Sequence, residues 1–176
     1  MSLDFKLRPW SEDDLLTIVK YANNEKIANN LTDGFPHPYY EKDARFFLDL
    51  IQKSKDLILC IEVNGEFAGS VGIHLKKDIH RKNAEIGYWL AEPYWGQGII
   101  SRVIPEMVSK AFDQFDIERI YAGVFETNKA SQRVLEKNGF THEARLVKNV
   151  YKNDQFQDQH IYSMRRESWQ NRQSKR

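Results

Sequence analysis

A mixed α/β fold is what this sequence predicts: one sheet of seven strands with about four helices packed against it. Three observations carry that expectation. Short runs rich in β-branched and aromatic residues alternate with apolar stripes at helical spacing. Asn64-Gly65 separates two such runs and is a strong hairpin signal, since both central positions of a tight hairpin turn need positive φ. A further run, 84–90, leads through Trp95-Gly96-Gln97-Gly98 directly into a long helical stripe.

Phe5-Lys6-Leu7-Arg8 alternates and reads as the first strand, closed by Pro9. Ser11 before Glu12, Asp13 and Asp14 has the form of a helix N-cap with an acidic first turn. Leu15, Leu16 and Val19 continue that stripe. A short second helix is expected over 25–31, and Gly34, Pro36 and Pro38 make the following stretch a loop. The next helix should run from Tyr39 or Tyr40 to Lys53, with Phe46, Phe47, Leu50 and Ile51 on one apolar face.

Residues 57–63 and 67–75 are the strands on either side of the Asn64-Gly65 turn. After the strand 84–90, a helix places Ile100, Val103, Ile104, Met107, Val108, Ala111, Phe112 and Phe115 on its core side. Pro105 lies inside it, removes one backbone hydrogen bond and should bend it. A strand over 120–125 precedes a short helix over 128–137, which ends at Asn138-Gly139, a left-handed cap. Strands near 141–151 and 157–165, joined at Lys152-Asn153-Asp154, complete the sheet.

A length of 176 residues suits one domain, expected over 1–168, with a flexible basic tail over 169–176 that carries Arg172, Lys175 and Arg176. A net charge of +1 argues against a polyanion-binding surface, so nucleic acid is not an expected partner. The chain has one cysteine, Cys60, inside an apolar run, and it reads as an inert strand residue. No signal peptide is evident, and no run approaches the roughly 18 apolar residues that a membrane helix needs, so a cytoplasmic location is expected. His37, His74, His80, His142 and His160 show no metal-ligand spacing, and no metal is expected.

The stretch 85–101 is the most informative. Gly96 and Gly98 let the backbone turn sharply and approach a ligand without Cβ clashes. The first N–H groups of the helix that follows lack internal partners, and with the helix dipole they suit a pyrophosphate. The pattern is not the dinucleotide fingerprint, because Ser101 occupies the third glycine position, and no Gly-Lys-Ser/Thr follows to make a Walker loop.

Here the sequence resembles the GCN5-related N-acetyltransferases (GNAT), in particular the ribosomal-protein N-terminal acetyltransferases and their relatives. The matching blocks are Ala84-Glu85-Ile86-Gly87-Tyr88-Trp89-Leu90, Pro93-Tyr94-Trp95-Gly96-Gln97-Gly98, Asn128-Lys129-Ala130-Ser131 and Glu136-Lys137-Asn138-Gly139-Phe140, in the family's order and spacing. The resemblance implies a mostly antiparallel seven-stranded sheet with a splayed central strand pair. It implies acetyl-CoA as co-substrate, a primary amine as acceptor, and direct attack of that amine in a ternary complex. The pyrophosphate would lie on the amides of Trp95, Gly96, Gln97, Gly98, Ile99 and Ile100. The pantetheine arm would pair with Leu90 and Ala91, and Asn128 would contact it while capping its helix. Trp95 and Ile100 depart from the wider family's turn pattern, and Ile100 is bulky where Gly or Ala is usual.

The chemistry asks for a proton acceptor, because an amine of pKa ~10 is mostly protonated at pH 7. It also asks for a donor to the developing oxyanion, which the strand amides near Tyr88 and Leu90 would supply. Glu85 is the candidate base: a carboxylate on an otherwise apolar central strand is costly to bury without purpose. Ser131 is the candidate partner of the leaving thiolate, since the tyrosine that many relatives place one turn later is Leu135 here. A glutamate that some relatives use aligns with Val150, so base action rests on Glu85 or on solvent.

The acceptor remains open between a ribosomal-protein-like N-terminus, a polyamine, an amino acid and an aminoglycoside-like amine. A degenerate CoA-binding or regulatory module is the alternative to an enzyme. Monomer and homodimer are both compatible with the sequence.

Overall fold

The computed structural model describes residues 4–174. Its seven-stranded sheet has the order β1-β2-β3-β4-β5-β7-β6. The strands are β1 (Phe5–Arg8), β2 (Leu57–Val63), β3 (Glu66–Leu75), β4 (Asn83–Leu90), β5 (Arg119–Phe125), β6 (Thr141–Lys152) and β7 (Gln155–Arg165). The helices among the described residues are α1 (Leu15–Ala22), α2 (Glu25–Ala28), α3 (Glu41–Lys53), α4 (Ile99–Gln114), α5 (Lys129–Lys137) and α6 (Arg166–Gln173). The β1/β2, β5/β7 and β6/β7 pairs are antiparallel, while β4 and β5 run parallel. The β4/β5 register covers Asn83↔Arg119 to Glu85↔Tyr121, at the N-terminal ends of both strands.

By packing, the chain divides into two compact units, one within 4–72 and 88–103 and the other within 73–87 and 104–174. In the first, Leu15, Ile18, Ala22, Tyr39, Ala44, Leu48, Cys60 and Phe67 form a buried cluster. Trp10, Phe35 and Trp89 pack on it. The predicted N-cap is present: Ser11 Oγ accepts from Asp13 N–H, and Asp14 closes the capping box while taking two hydrogen bonds from Arg8. The Asn64-Gly65 turn has φ of 53° and 82°, the left-handed pair that the sequence predicts. Cys60 is fully buried, and burial pushes its thiol up to about 12, as befits an inert core residue.

The apolar face expected for α3 needs correction. Ala44 and Leu48 are the buried pair, whereas Phe46 and Leu50 are 69% and 51% exposed. Two stripes at i, i+4 spacing, Ala44/Leu48 and Phe46/Leu50, run along this helix two positions apart, and hydrophobicity alone does not choose between them.

In the second unit Met107, Val108, Ala111, Phe112, Ile120, Ala122, Leu135, Phe140 and Met164 are buried. α5 closes on Gly139 at φ 82°, with Phe140 N–H donating to Leu135 O at 3.1 Å. The β6–β7 turn at Asn153-Asp154 has φ of 50° and 59°, a left-handed turn made without glycine. α4 continues through Pro105 as one helix, with its core stripe opening at Ile99 rather than at the half-buried Ile100.

The expected loose tail from residue 169 meets a helix instead. α6 runs to Gln173 with Trp169 buried, and the Arg172 guanidinium lies against Gly139, where a Cβ would meet it at 1.7 Å. Among its eight residues the tryptophan alone is buried, so no apolar stripe announced it. Lys175 and Arg176 lie outside the described residues.

Arg166, the first residue of α6, donates to the carbonyls of Phe112, Phe115 and Ile117, each at 2.8 Å. These carbonyls surround the C-terminal end of α4, where a cation also complements the helix dipole. Arg166→Ala is expected to lower stability by about 2–3 kcal/mol, read from urea denaturation. A loss below about 0.5 kcal/mol would show that water replaces the guanidinium without cost.

No helix among the described residues is long and apolar enough to cross a membrane.

Candidate active site

The turn after β4 is built from its own sequence. Pro93 sits in the first positions of a 3-10 turn over Glu92–Tyr94, and Glu92 is held by Asn24 and Lys26. Trp95 Nε1 donates to Leu90 O at 2.6 Å, and Gln97 Nε2 donates to Pro93 O at 2.9 Å. These two side chains close the turn from inside, leaving residues 95–98 exposed. Gly96 and Gly98 have φ of 73° and 72°, with no atom within 4 Å of where a Cβ would stand. Both glycines are therefore required by backbone conformation, not by a neighbour that would clash. The open space shows a surface that a ligand can approach, directly in front of the first turn of α4. Trp95 N–H donates to Glu92 O at 3.1 Å and Ile99 is buried, so the exposed residues that follow Trp95 in the turn are Gly96, Gln97 and Gly98.

The strand residues before the turn divide in role. Ala91 N–H donates to Ala68 O at 2.7 Å, and Ala91 O accepts from Tyr94 N–H at 3.0 Å. Both backbone groups of Ala91 thus have partners within the protein, and its carbonyl oxygen keeps a second lone pair for the expected pairing with a pantetheine arm. Leu90 points its backbone groups the opposite way, by the alternation of a strand. In this same unit Gly69 of β3 lies so close to β4 that a Cβ would stand 2.3 Å from Trp89 O.

In the second unit, Asn128 is the N-cap of α5, with Oδ1 accepting from Ser131 N–H at 3.1 Å. Ser131 is half-buried in the first turn of that helix. Gln132 Nε2 donates to the carbonyls of Phe125 and Glu126 at 3.2 and 3.1 Å, which ties the helix start to the end of β5. Leu135 is fully buried, so the position of the absent tyrosine is a core position here.

Glu85 lies on β4 in the same unit and is held on one side. Lys76 Nζ donates to its Oε2 at 2.6 Å, and Tyr121 Oη donates to the same oxygen at 3.4 Å. Burial opposes the charge of Lys76, but its hydrogen bonds to Glu85 and Tyr121 outweigh that and hold its ammonium above the ordinary lysine range. The carboxylate that looked isolated in the sequence is therefore one member of a polar cluster with Lys76, Tyr121, Asn83 and Arg119. Sequence reasoning missed the other members. The parallel register is the signal that places them, since it sets Glu85 beside Tyr121 and Asn83 beside Arg119.

Among the described residues no group of three or more histidine, cysteine or acidic side chains could hold a metal ion. His142 and His160 meet at 2.9 Å between β6 and β7 as a hydrogen-bonded pair.

The Acetyltransferase (GNAT) domain family matches residues 4–141. The uncharacterized N-acetyltransferase YoaA of Bacillus subtilis (strain 168) is 39% identical over 157 residues, covering 88% of this chain and 82% of YoaA. RimL, a ribosomal alpha-N-protein acetyltransferase solved in complex with coenzyme A, superposes with a TM-score of 0.82 at 25% identity, covering 93% of this chain and 95% of RimL. A Vibrio cholerae spermidine N-acetyltransferase, solved with CoA and spermine, shares the fold at a TM-score of 0.81 and 22% identity, covering 95% and 98% of the two chains. With the family's domain matched over most of its length, and with the strand, turn and helix that carry the family's motifs folded as those motifs require, this chain belongs to the GNAT acetyltransferase family and is an N-acetyltransferase.

Proposed function

We propose that this enzyme transfers the acetyl group of acetyl-CoA to the α-amine of a peptide, in the manner of the ribosomal-protein N-terminal acetyltransferases. The observation that carries the cofactor half of this reading is the exposed turn of Gly96 and Gly98 opening into α4. The likeness to RimL supports the peptide half. Acetyl-CoA supplies an activated acyl group as a thioester. The work of the protein is to hold it, to accept the amine's proton and to assist the leaving sulfur.

The amides of Gly96, Gln97, Gly98, Ile99 and Ile100 bind the pyrophosphate with the dipole of α4, while Trp95, whose N–H donates to Glu92 O, closes the turn before them. Leu90, whose carbonyl accepts from Trp95 Nε1, offers its backbone N–H to the pantetheine arm, and Asn128 caps α5 in the second unit. Ser131 gives a hydrogen bond to the leaving thiolate. Glu85 accepts the amine's proton. The strand rises about 3.3 Å per residue, so Glu85 is about 10 Å along β4 from Tyr88. It therefore acts through bridging water. Its contacts with Lys76 and Tyr121 fall on Oε2, which leaves Oε1 for that water.

Ser131→Ala is the test of the thiolate role. Turnover should fall about tenfold while acetyl-CoA affinity stays within about twofold, because the Asn128–Ser131 cap uses the backbone N–H and survives the change. Equal losses in turnover and affinity would make Ser131 a structural residue. Thiol release over a panel of peptides, amino acids and polyamines tests the reaction itself, and silence with every acceptor would overturn it.

A further inference from the structure

We propose that the cavity lined by Lys76, Lys77, His80, Asn83, Arg119 and Tyr121 is an acceptor subsite for an anionic group, a carboxylate or phosphate carried near the reactive amine. The cavity has a volume of about 410 Å³, within the range of small-ligand sites. Three of its lining residues are Lys or Arg, and none is Asp or Glu.

The cations are set in place from behind. Lys76 is tied to Glu85 at 2.6 Å, and Arg119 is bonded to Asn83 Oδ1 at 3.2 Å and paired with Glu143. Both lie over the ring of Tyr121, with Lys76 Nζ 5.4 Å and the Arg119 guanidinium 4.8 Å from its centroid. Two fixed cations on one aromatic ring cost little further ordering when an anion arrives. Lys77 adds an exposed ammonium at the rim. The two carboxylates that pair with this cluster, Glu85 and Glu143, lie outside the lining, so the inward face presents donors. Glu85 and Glu143 offset two of the three positive charges, so the attraction for an acidic acceptor rests on Lys77, with Lys76 and Arg119 as hydrogen-bond donors beside it.

One link rests on the proposed role of Glu85: Lys76 both lines the cavity and bonds the base, so a group held there anchors the acceptor on the side of Glu85, with the amine joined to that carboxylate through the bridging water. The shared chemistry leaves two sources, an acidic residue of a peptide or a small amine that carries a carboxylate or phosphate.

The experiment uses the full chain, saturating acetyl-CoA and matched acceptors. One pair is a peptide with Glu after its free N-terminal residue against the same peptide with Gln. Another is O-phosphoethanolamine against ethanolamine, and spermidine is included. The anionic member of at least one pair should be preferred by about tenfold in kcat/KM. That preference should shrink to about twofold in Lys77→Glu, and also in wild type at about 0.5 M salt. The pair that shows it identifies the source. Lys77 is exposed, so folding is not at stake. Calorimetric binding of the Glu peptide to wild type and Lys77→Glu should show the same loss without turnover. Equal rates within both pairs, a preference untouched by Lys77→Glu, or spermidine as the best acceptor would overturn the proposal. Each ratio is taken within one enzyme. A Glu85→Gln variant that keeps full rate therefore sinks the base and not the subsite.

Discussion

Gly98→Val is expected to weaken coenzyme A binding by about 100-fold when the affinity is measured by calorimetry, with the fold retained. Gly98 has φ of 72°, a conformation that a β-branched residue adopts only at a cost of about 1–3 kcal/mol. Relieving that cost means rotating the peptide planes that aim the amides of Ile99 and Ile100, so affinity falls with the strain. Because no protein atom lies within 4 Å of the added Cβ, crowding within the protein contributes nothing. The losses should follow tolerance of the left-handed region and not side-chain size. Gly98→Asn should keep most of the affinity, Gly98→Ala should lose about tenfold and Gly98→Val should lose the most. A valine variant that binds coenzyme A like the parent would remove the turn from the site.

The second large effect is expected at Glu85. Glu85→Gln should lower kcat by about 100-fold at pH 7, the low end of what a general base contributes, since proton transfer here runs through water. The amide keeps an acceptor for Lys76, so the local cluster and acetyl-CoA affinity should persist. That split between rate and affinity distinguishes a base from a packing residue. A kcat within twofold of the parent would hand the proton to solvent, the route left open by Val150 at the position of the glutamate in some relatives.

Local signals in this chain were strong wherever backbone conformation itself decides the outcome. Asn64-Gly65, Asn138-Gly139 and Ser11-Asp14 each formed the turn or cap that their residues favour, because those preferences act within a few residues. Gly96 and Gly98 were read for close ligand approach, and the structure adds that their positive φ is the stricter demand. Where two apolar stripes competed, as on α3, the sequence did not say which would be covered. Where polarity concealed a helix, as in α6, one buried tryptophan and three capped carbonyls came from elsewhere in the fold.

The sequence by itself determined the strand order along the chain, the turn chemistry and the family, since each is written in short-range patterns of residues. Tertiary structure alone decided the company of Glu85. Lys76 sits nine residues before it and Tyr121 thirty-six after it; the β4/β5 register brings Tyr121 across, and Lys76 N–H donates to Asn83 O to bring the lysine alongside. Tertiary structure also showed that both backbone groups of Ala91 have partners within the protein. The reason is the same in both cases: conformation follows from neighbours in the chain, whereas the partners of a charge or an amide follow from neighbours in space.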